Sequence, residues 1–180
     1  MKILIASDIH GRVQRMKMLE ERIAEFHPDC IFLLGDYLYN GPRNGVPNDY
    51  DPMEVSKMLN RHSSKIIGVR GNCDSRVDGM LLSFPLEDCP RFEMDGHFFD
   101  LYHGDEYSVA LLKAQKGDIL VSGHTHIQVL EKKDGMIWLN PGSTSFPKGG
   151  NDASYATIEN NLITIRKLVD ASPIKELSID

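Results

Sequence analysis

A chain of 180 residues with a net charge of -6 has the length of one ordinary domain and enough residues to bury a sizeable core. Its 41% apolar and 26% charged residues exclude a disordered or fibrous class, and its acidic balance excludes a general nucleic-acid-coating surface. A phosphate substrate stays open, because bound divalent cations can supply positive charge locally.

Lys2 to Ser7 reads as a short buried strand. Asp8 and His10 interrupt that apolar run too early for a signal peptide. No window approaches the ~18 apolar residues of a membrane span, so the expected location is cytoplasmic. From Arg12 to His27 the positions Val13, Met16, Leu19, Ile23 and Phe26 recur at helical spacing. Cys30 to Leu34 is a second apolar strand, ending in Gly35-Asp36. A Gly-, Pro- and Asn-rich loop from Tyr37 to Asp51 is too long for a simple connector, and Pro52 opens a helix reaching about His62. Ile66 to Val69 is a third strand, followed by Gly71-Asn72. This alternation predicts a parallel sheet with right-handed crossovers.

Beyond Phe84 the pattern turns to strands: Arg91 to Met94, His97 to His103, Ile119 to Ser122, Gln128 to Lys132, Ile137 to Asn140, Ala153 to Glu159 and Leu162 to Val169. Only Tyr107 to Lys116 reads as helix there, and Asp134-Gly135 and Asn160-Asn161 read as hairpin turns. The second half is thus expected to be mostly antiparallel, within a single domain over 1–180. Three cysteines without CxxC spacing do not make a disulfide framework.

The chemistry lies at the strand ends. Asp8-x-His10, Gly35-Asp36, Gly71-Asn72, His103-Gly104 and Gly123-His124-Thr125-His126 each follow a predicted strand directly. In open α/β sheets ligands bind at such ends. Two Asp, one Asn and four His have the mixed oxygen and nitrogen character of a first-row dication site, with more donors than one tetrahedral ion needs. Each motif alone is an ordinary turn or helix cap. Their ordered series is not.

These blocks, in this order, resemble the calcineurin-like metallophosphoesterases. With the small size, the Gly-Asn-Cys-Asp block and the Asn140-Pro141-Gly142-Ser143 turn, they are most similar to the bacterial YfcE-type phosphodiesterase subgroup. The resemblance implies a four-layer α/β/β/α sandwich with two mixed sheets and a dinuclear centre, most often manganese, with Zn2+, Fe2+ or Ni2+ as alternatives. By analogy Asp8, His10 and His126 bind one ion, Asn72, His103 and His124 the other, and Asp36 bridges them. Two ions ~3.5–4 Å apart polarise a bridging water to hydroxide, which attacks phosphorus in line with the leaving group. The implied activity is phosphodiester hydrolysis on a small phosphoester, with Asn72, Cys73, Asp74 and His103 in the catalytic group.

Many relatives carry a histidine where this chain has Cys73. A thiol of ordinary pKa ~8.5 is a poor substitute for an imidazole near ~6.5. Weak turnover of esters with poor leaving groups is therefore expected, and better turnover of activated aryl or diester substrates. Arg12, Tyr39, Asn40 and Arg43 are candidate substrate contacts, Arg43 and Arg12 through a phosphate oxygen. Asn140 to Ser143 is expected to support the site from behind.

The other histidines read as structural: His27 and His62 at helix ends, His97 at a strand start. Cys30 and Cys89 read as small buried apolar residues. Phosphomonoester hydrolysis is the second enzymatic reading, less favoured without a basic cluster. A non-catalytic binding scaffold, as in the retromer subunit of this fold, is the alternative from another class. A nucleotide-dependent oxidoreductase is disfavoured, since no G-x-G-x-x-G follows the first strand. A homo-oligomer could form through an exposed strand edge or the helix bearing Met16 and Met18.

Overall fold

The structure is a computed structural model that describes residues 1–105 and 113–180. The first half alternates β1 (Ile3–Ala6), α1 (Val13–Phe26), β2 (Cys30–Leu33), α2 (Pro52–Asn60) and β3 (Ile66–Val69), and then adds a short α3 (Asp78–Leu81) and β4 (Leu86–Glu87). The second half holds β5 (Arg91–Met94), β6 (His97–Leu101), β7 (Ile119–Val121), β8 (Gln128–Lys133), β9 (Met136–Pro141), β10 (Ser154–Glu159), β11 (Leu162–Lys167) and β12 (Pro173–Ser178). The described strands form a seven-stranded sheet, in the order β12-β11-β10-β1-β2-β3-β4, and a five-stranded sheet, in the order β5-β6-β7-β9-β8.

The strands β1 to β4 pair in parallel, as the alternation predicts, and β10 joins β1 antiparallel. The second sheet is more mixed than its patterning implies, because β6, β7 and β9 also pair in parallel. Antiparallel pairing still predominates in this half of the chain, in β5-β6, β8-β9, β10-β11 and β11-β12, as expected. Period-2 alternation reports a half-buried strand but not its partner's direction, so the parallel pairs were not visible in it. Both hairpin turns form, with Asp134 and Gly135 at φ 55° and 79° and Asn160 and Asn161 at φ 53° and 59°. Two positive φ values in succession match the type I′ turn that short hairpins need.

Two apolar layers hold the molecule together. On one face of the large sheet, Leu4, Ala6, Ile31 and Leu33 meet Met16, Leu19 and Ile23 of α1 and Val55, Met58 and Leu59 of α2. Each such side chain contributes about 1.5–3 kcal/mol on full burial. On the other face, Ile3, Ile5, Phe32 and Leu34 pack against Phe99, Leu101, Ile119, Val121, Ile137 and Leu139 of the small sheet. Beyond the small sheet, Tyr102 and Leu120 form a third cluster with Met136 and Trp138. The helix expected over Tyr107 to Lys116, which would make the fourth layer, falls largely outside the described residues.

Met16 is buried in the core and Met18 is partly buried against it. The outer strand β12 of the large sheet, which the sequence reading missed, is mostly exposed. No described helix is long and apolar enough to cross a membrane. The helix starts differ in cause. Asp51 caps α2 by accepting from Glu54 N at 3.0 Å, with Pro52 in the first turn. The α1 helix has no side-chain cap of its own. Asp49 from the long loop serves it instead, accepting from Val13 N and Gln14 N at 3.0 and 3.2 Å through its carbonyl and carboxylate.

Candidate metal centre

The parallel strands end on one rim, and the loops leaving β1, β2, β3, β6 and β7 bring all seven sequence-predicted ligands together. Asp8, His10 and His126 place donor atoms within 4.8 Å of one another, as do Asp8, Asp36 and His103. Around the first group, His126 Nε2 lies 3.2 Å from Asp8 Oδ1 and 3.4 Å from His10 Nε2, and His10 Nε2 lies 3.7 Å from Asp36 Oδ2. Around the second, His103 Nε2 lies 3.4 Å from Asp36 Oδ1, and Asn72 Oδ1 lies 2.9 Å from His103 Nε2 and 2.8 Å from His124 Nδ1. Asp36 therefore turns one carboxylate oxygen to each group.

Three observations fit this donor set to cations. Asp8 Oδ1 is fully buried and accepts no hydrogen bond among the described residues, an arrangement that is costly without a positive partner. Three imidazoles donate their outward nitrogens to backbone carbonyls: His10 Nδ1 to Tyr39 at 2.8 Å, His103 Nδ1 to Leu34 at 2.6 Å and His126 Nδ1 to Phe146 at 2.6 Å. In the neutral ring that fixes the tautomer, so that Nε2 presents its lone pair inward, as metal-binding histidines require. Finally, Asp8, His10, Asp36, His124 and His126 have φ of 56°, 51°, 58°, 63° and 61°. Such left-handed backbone costs a non-glycine residue about 1–2 kcal/mol, and strain of this kind gathers at functional sites.

The surrounding chain holds these strained loops by hydrogen bonds. His10 N donates to Asp36 O at 2.9 Å and Asp8 N to Gly35 O at 3.1 Å, which joins the first two loops. Ser143 Oγ donates to Asp8 O at 2.9 Å and Ser145 Oγ to Ile9 O at 2.6 Å. Asn140 Nδ2 donates to Gly123 O at 2.7 Å. The turn after β9 thus braces the site from behind, across more residues than the Asn140–Ser143 stretch the sequence singled out.

Asp74 has the same role and needs a correction. Grouped with the catalytic residues on sequence grounds, it has both carboxylate oxygens committed to backbone: Gly71 N and Asp36 N at 2.7 and 2.8 Å, and Tyr37 N at 2.9 Å. It is a positioning residue that ties the Asn72 loop to the Asp36 loop. Burial raises its carboxyl to about 6 against the pull of those donors.

The candidate substrate contacts divide. Arg12 is committed to Asp49, its Nε donating at 2.9 Å. Asn40 is buried and donates to the carbonyls of Asn44 and Gly45, organising its own loop. Both are held by contacts within the loops that frame the site. Arg43 does line a cleft of about 370 Å3 over His10, Asp36, Asn72 and His126. Lys148, which the sequence reading missed, lines it too. Neither cation has an ion pair among the described residues. Tyr39 faces a neighbouring cavity. Cys73 stands at the wall of the cleft, its N donating to Asp36 Oδ1 at 2.9 Å, and burial with nearby Asp36 pushes its thiol up to about 12.

The imidazoles differ in charge. Burial lowers His10 and His124. Burial also opposes the charge on His103, but its contact with Asp36 outweighs that and raises it to about 9. A raised histidine stabilises the metal-free fold below its unfolded pKa, and this contribution is lost as pH rises from ~6.5 to about 9. Cation loading at pH 7.5 is expected to release about one proton, read by titration calorimetry in buffers of different ionisation enthalpy. Proton release that stays constant up to pH 10 would count against His103 as the source.

The whole arrangement has the pattern of one family: the chain belongs to the calcineurin-like phosphoesterase superfamily, whose domain model matches residues 1–161. Among individual proteins, it is 41% identical to phosphodiesterase YfcE of Escherichia coli over 100% of this chain and 99% of that one. The solved structure of that E. coli phosphoesterase superposes with a TM-score of 0.93 at 38% identity, covering 100% of both chains. Vacuolar protein sorting 29 of Cryptosporidium parvum shares the fold, with a TM-score of 0.68 at 19% identity over 98% of this chain and 97% of that one.

Proposed function

We propose that this protein hydrolyses phosphodiesters with a pair of divalent cations, manganese being the first choice. The observation that carries the reading is Asp36, with one carboxylate oxygen facing His10 and the other facing His103. Asp8, His10 and His126 would hold one cation, Asn72, His103 and His124 the other, and Asp36 both. Such ions, when bound, neutralise phosphoryl charge and lower the pKa of water.

The chain's own part is positioning and charge. Arg43 and Lys148 attract the phosphate and hold its outer oxygens. Backbone carbonyls and the Asp74 brace fix the donors in advance, so little reorganisation is needed during reaction. Cys73 keeps its proton and gives it up poorly, which favours aryl groups that depart as stable phenolates. The three cysteines are free, which suits a reducing cytoplasm.

The similarity to E. coli phosphodiesterase YfcE supports the diester preference. The presence of both Arg43 and Lys148 at one cleft favours phosphomonoesters as the second reading, since a dianion gains from two cations. The test is chelator treatment followed by manganese, with aryl mono- and diesters as substrates. Activity should vanish on chelation, return with the metal and be higher on diesters. Cys73→His should raise the rate on alkyl esters, and an unchanged rate would remove the leaving-group account. A metal-replete protein that cleaves no phosphoester but retains a stable partner would establish the scaffold reading instead.

A further inference from the structure

A second cavity, of about 330 Å3, opens beside the phosphate cleft and shares a wall with it. Cys73 lines both. The rest of the second cavity is largely apolar: Leu38, Tyr39, Tyr50, Pro52, Met53 and Leu81. Tyr39 and Met53 of its wall are 44% and 50% exposed, so a ligand in the cavity can reach both side chains.

The cavity is tied to the metal centre by its backbone. The Tyr39 carbonyl is the acceptor that orients His10. The Tyr50 ring sits against Gly11, the residue after His10, so closely that a Cβ there would collide with it. No lysine or arginine lines this cavity, and its one carboxylate, Asp78, already accepts from Ser75 N at 2.7 Å. A charged ligand group would find no counter-charge here. A flat, uncharged, polarisable one would find aromatic and thioether surface.

We infer that this cavity receives an aromatic arm of the ester whose phosphate occupies the adjacent cleft, so that the natural substrate carries a flat ring rather than short alkyl groups alone. This rests on the phosphodiesterase reading and narrows its substrate class. Cys73, between the two compartments, then separates the charged half of the substrate from the apolar half. Tyr39 enters the same picture as a specificity residue, not as a phosphate ligand.

The test uses the protein loaded with diamagnetic zinc, so that methyl resonances near the site stay visible, with phenylphosphonate and methylphosphonate, which cannot lose their organic group by ester hydrolysis. Phenylphosphonate is expected to bind at least about tenfold more tightly, from the apolar area of one ring. It should also shift the 13C-methyl resonance of Met53, which methylphosphonate should leave in place. Tyr39→Ala and Met53→Ser should each reduce the preference to about twofold or less. Met53→Ser changes an exposed side chain, so it guards against misfolding of the Tyr39 variant. Equal affinity for the two phosphonates would overturn the inference, as would a phenyl preference that survives both substitutions with Met53 unmoved. If neither phosphonate binds and no ester is cleaved, the hydrolase reading itself fails, and the cavity assignment falls with it.

Discussion

Asp36→Asn is expected to lose both cations and at least about a thousandfold in kcat/KM while the chain stays folded. The carboxylate presents one oxygen to each donor group, His10 on one side and His103 on the other. An amide keeps one oxygen and turns an N–H toward the other group, where lone pairs already converge. The fold should survive, because Asn tolerates the φ of 58° that Asp36 adopts. Elemental analysis, steady-state kinetics and circular dichroism on the purified variant test the three parts separately. Full retention of metal and activity would remove Asp36 from its bridging role.

Gly71→Ala is expected to produce the second-largest loss, although residue 71 carries no chemistry. A Cβ at that position would overlap Asp36 Oδ1 and the Asp36 backbone nitrogen, and would stand 3.0 Å from Asp74 Oδ2. It would push apart the two loops that Asp74 ties together. A cost of about 1–3 kcal/mol in stability is expected from the overlap, with roughly 10–100-fold weaker cation binding from the displaced brace. Gly79→Ala is the control, since nothing lies within 4 Å of its added methyl. Thermal melts and metal titrations of both variants decide it, and wild-type affinity in Gly71→Ala would refute the argument.

The seven candidate ligands were legible because donor residues beside glycines recur after apolar runs, a pattern that survives without any knowledge of contacts. The first three strands and two helices were legible for a similar reason: their apolar faces are thick. What stayed hidden depends on partners distant in sequence. Asp74 can be read as orienting some neighbour, but which one shows only when three backbone N–H groups are seen to converge on it. Lys148 lies in a loop with no motif, and its place at the cleft shows only in the fold, where its N donates to His126 O at 3.0 Å. Arg12 looked available because its partner, Asp49, sits 37 residues away. β12 escaped because an edge strand with most of its side chains in water carries little alternation, and its leading Pro173 reads as a breaker.

The left-handed backbone at Asp8, His10, Asp36, His124 and His126 bears on how such a protein can diverge. At these positions a residue must satisfy two demands, donating to a cation and tolerating an uncommon conformation. Asn meets the second nearly as well as Asp or His but is a weaker donor. A few single-codon drifts to Asn could therefore silence catalysis while leaving the architecture and its melting behaviour close to intact. The same route offers engineers an inert, folded decoy of the enzyme for trapping whatever binds its surface.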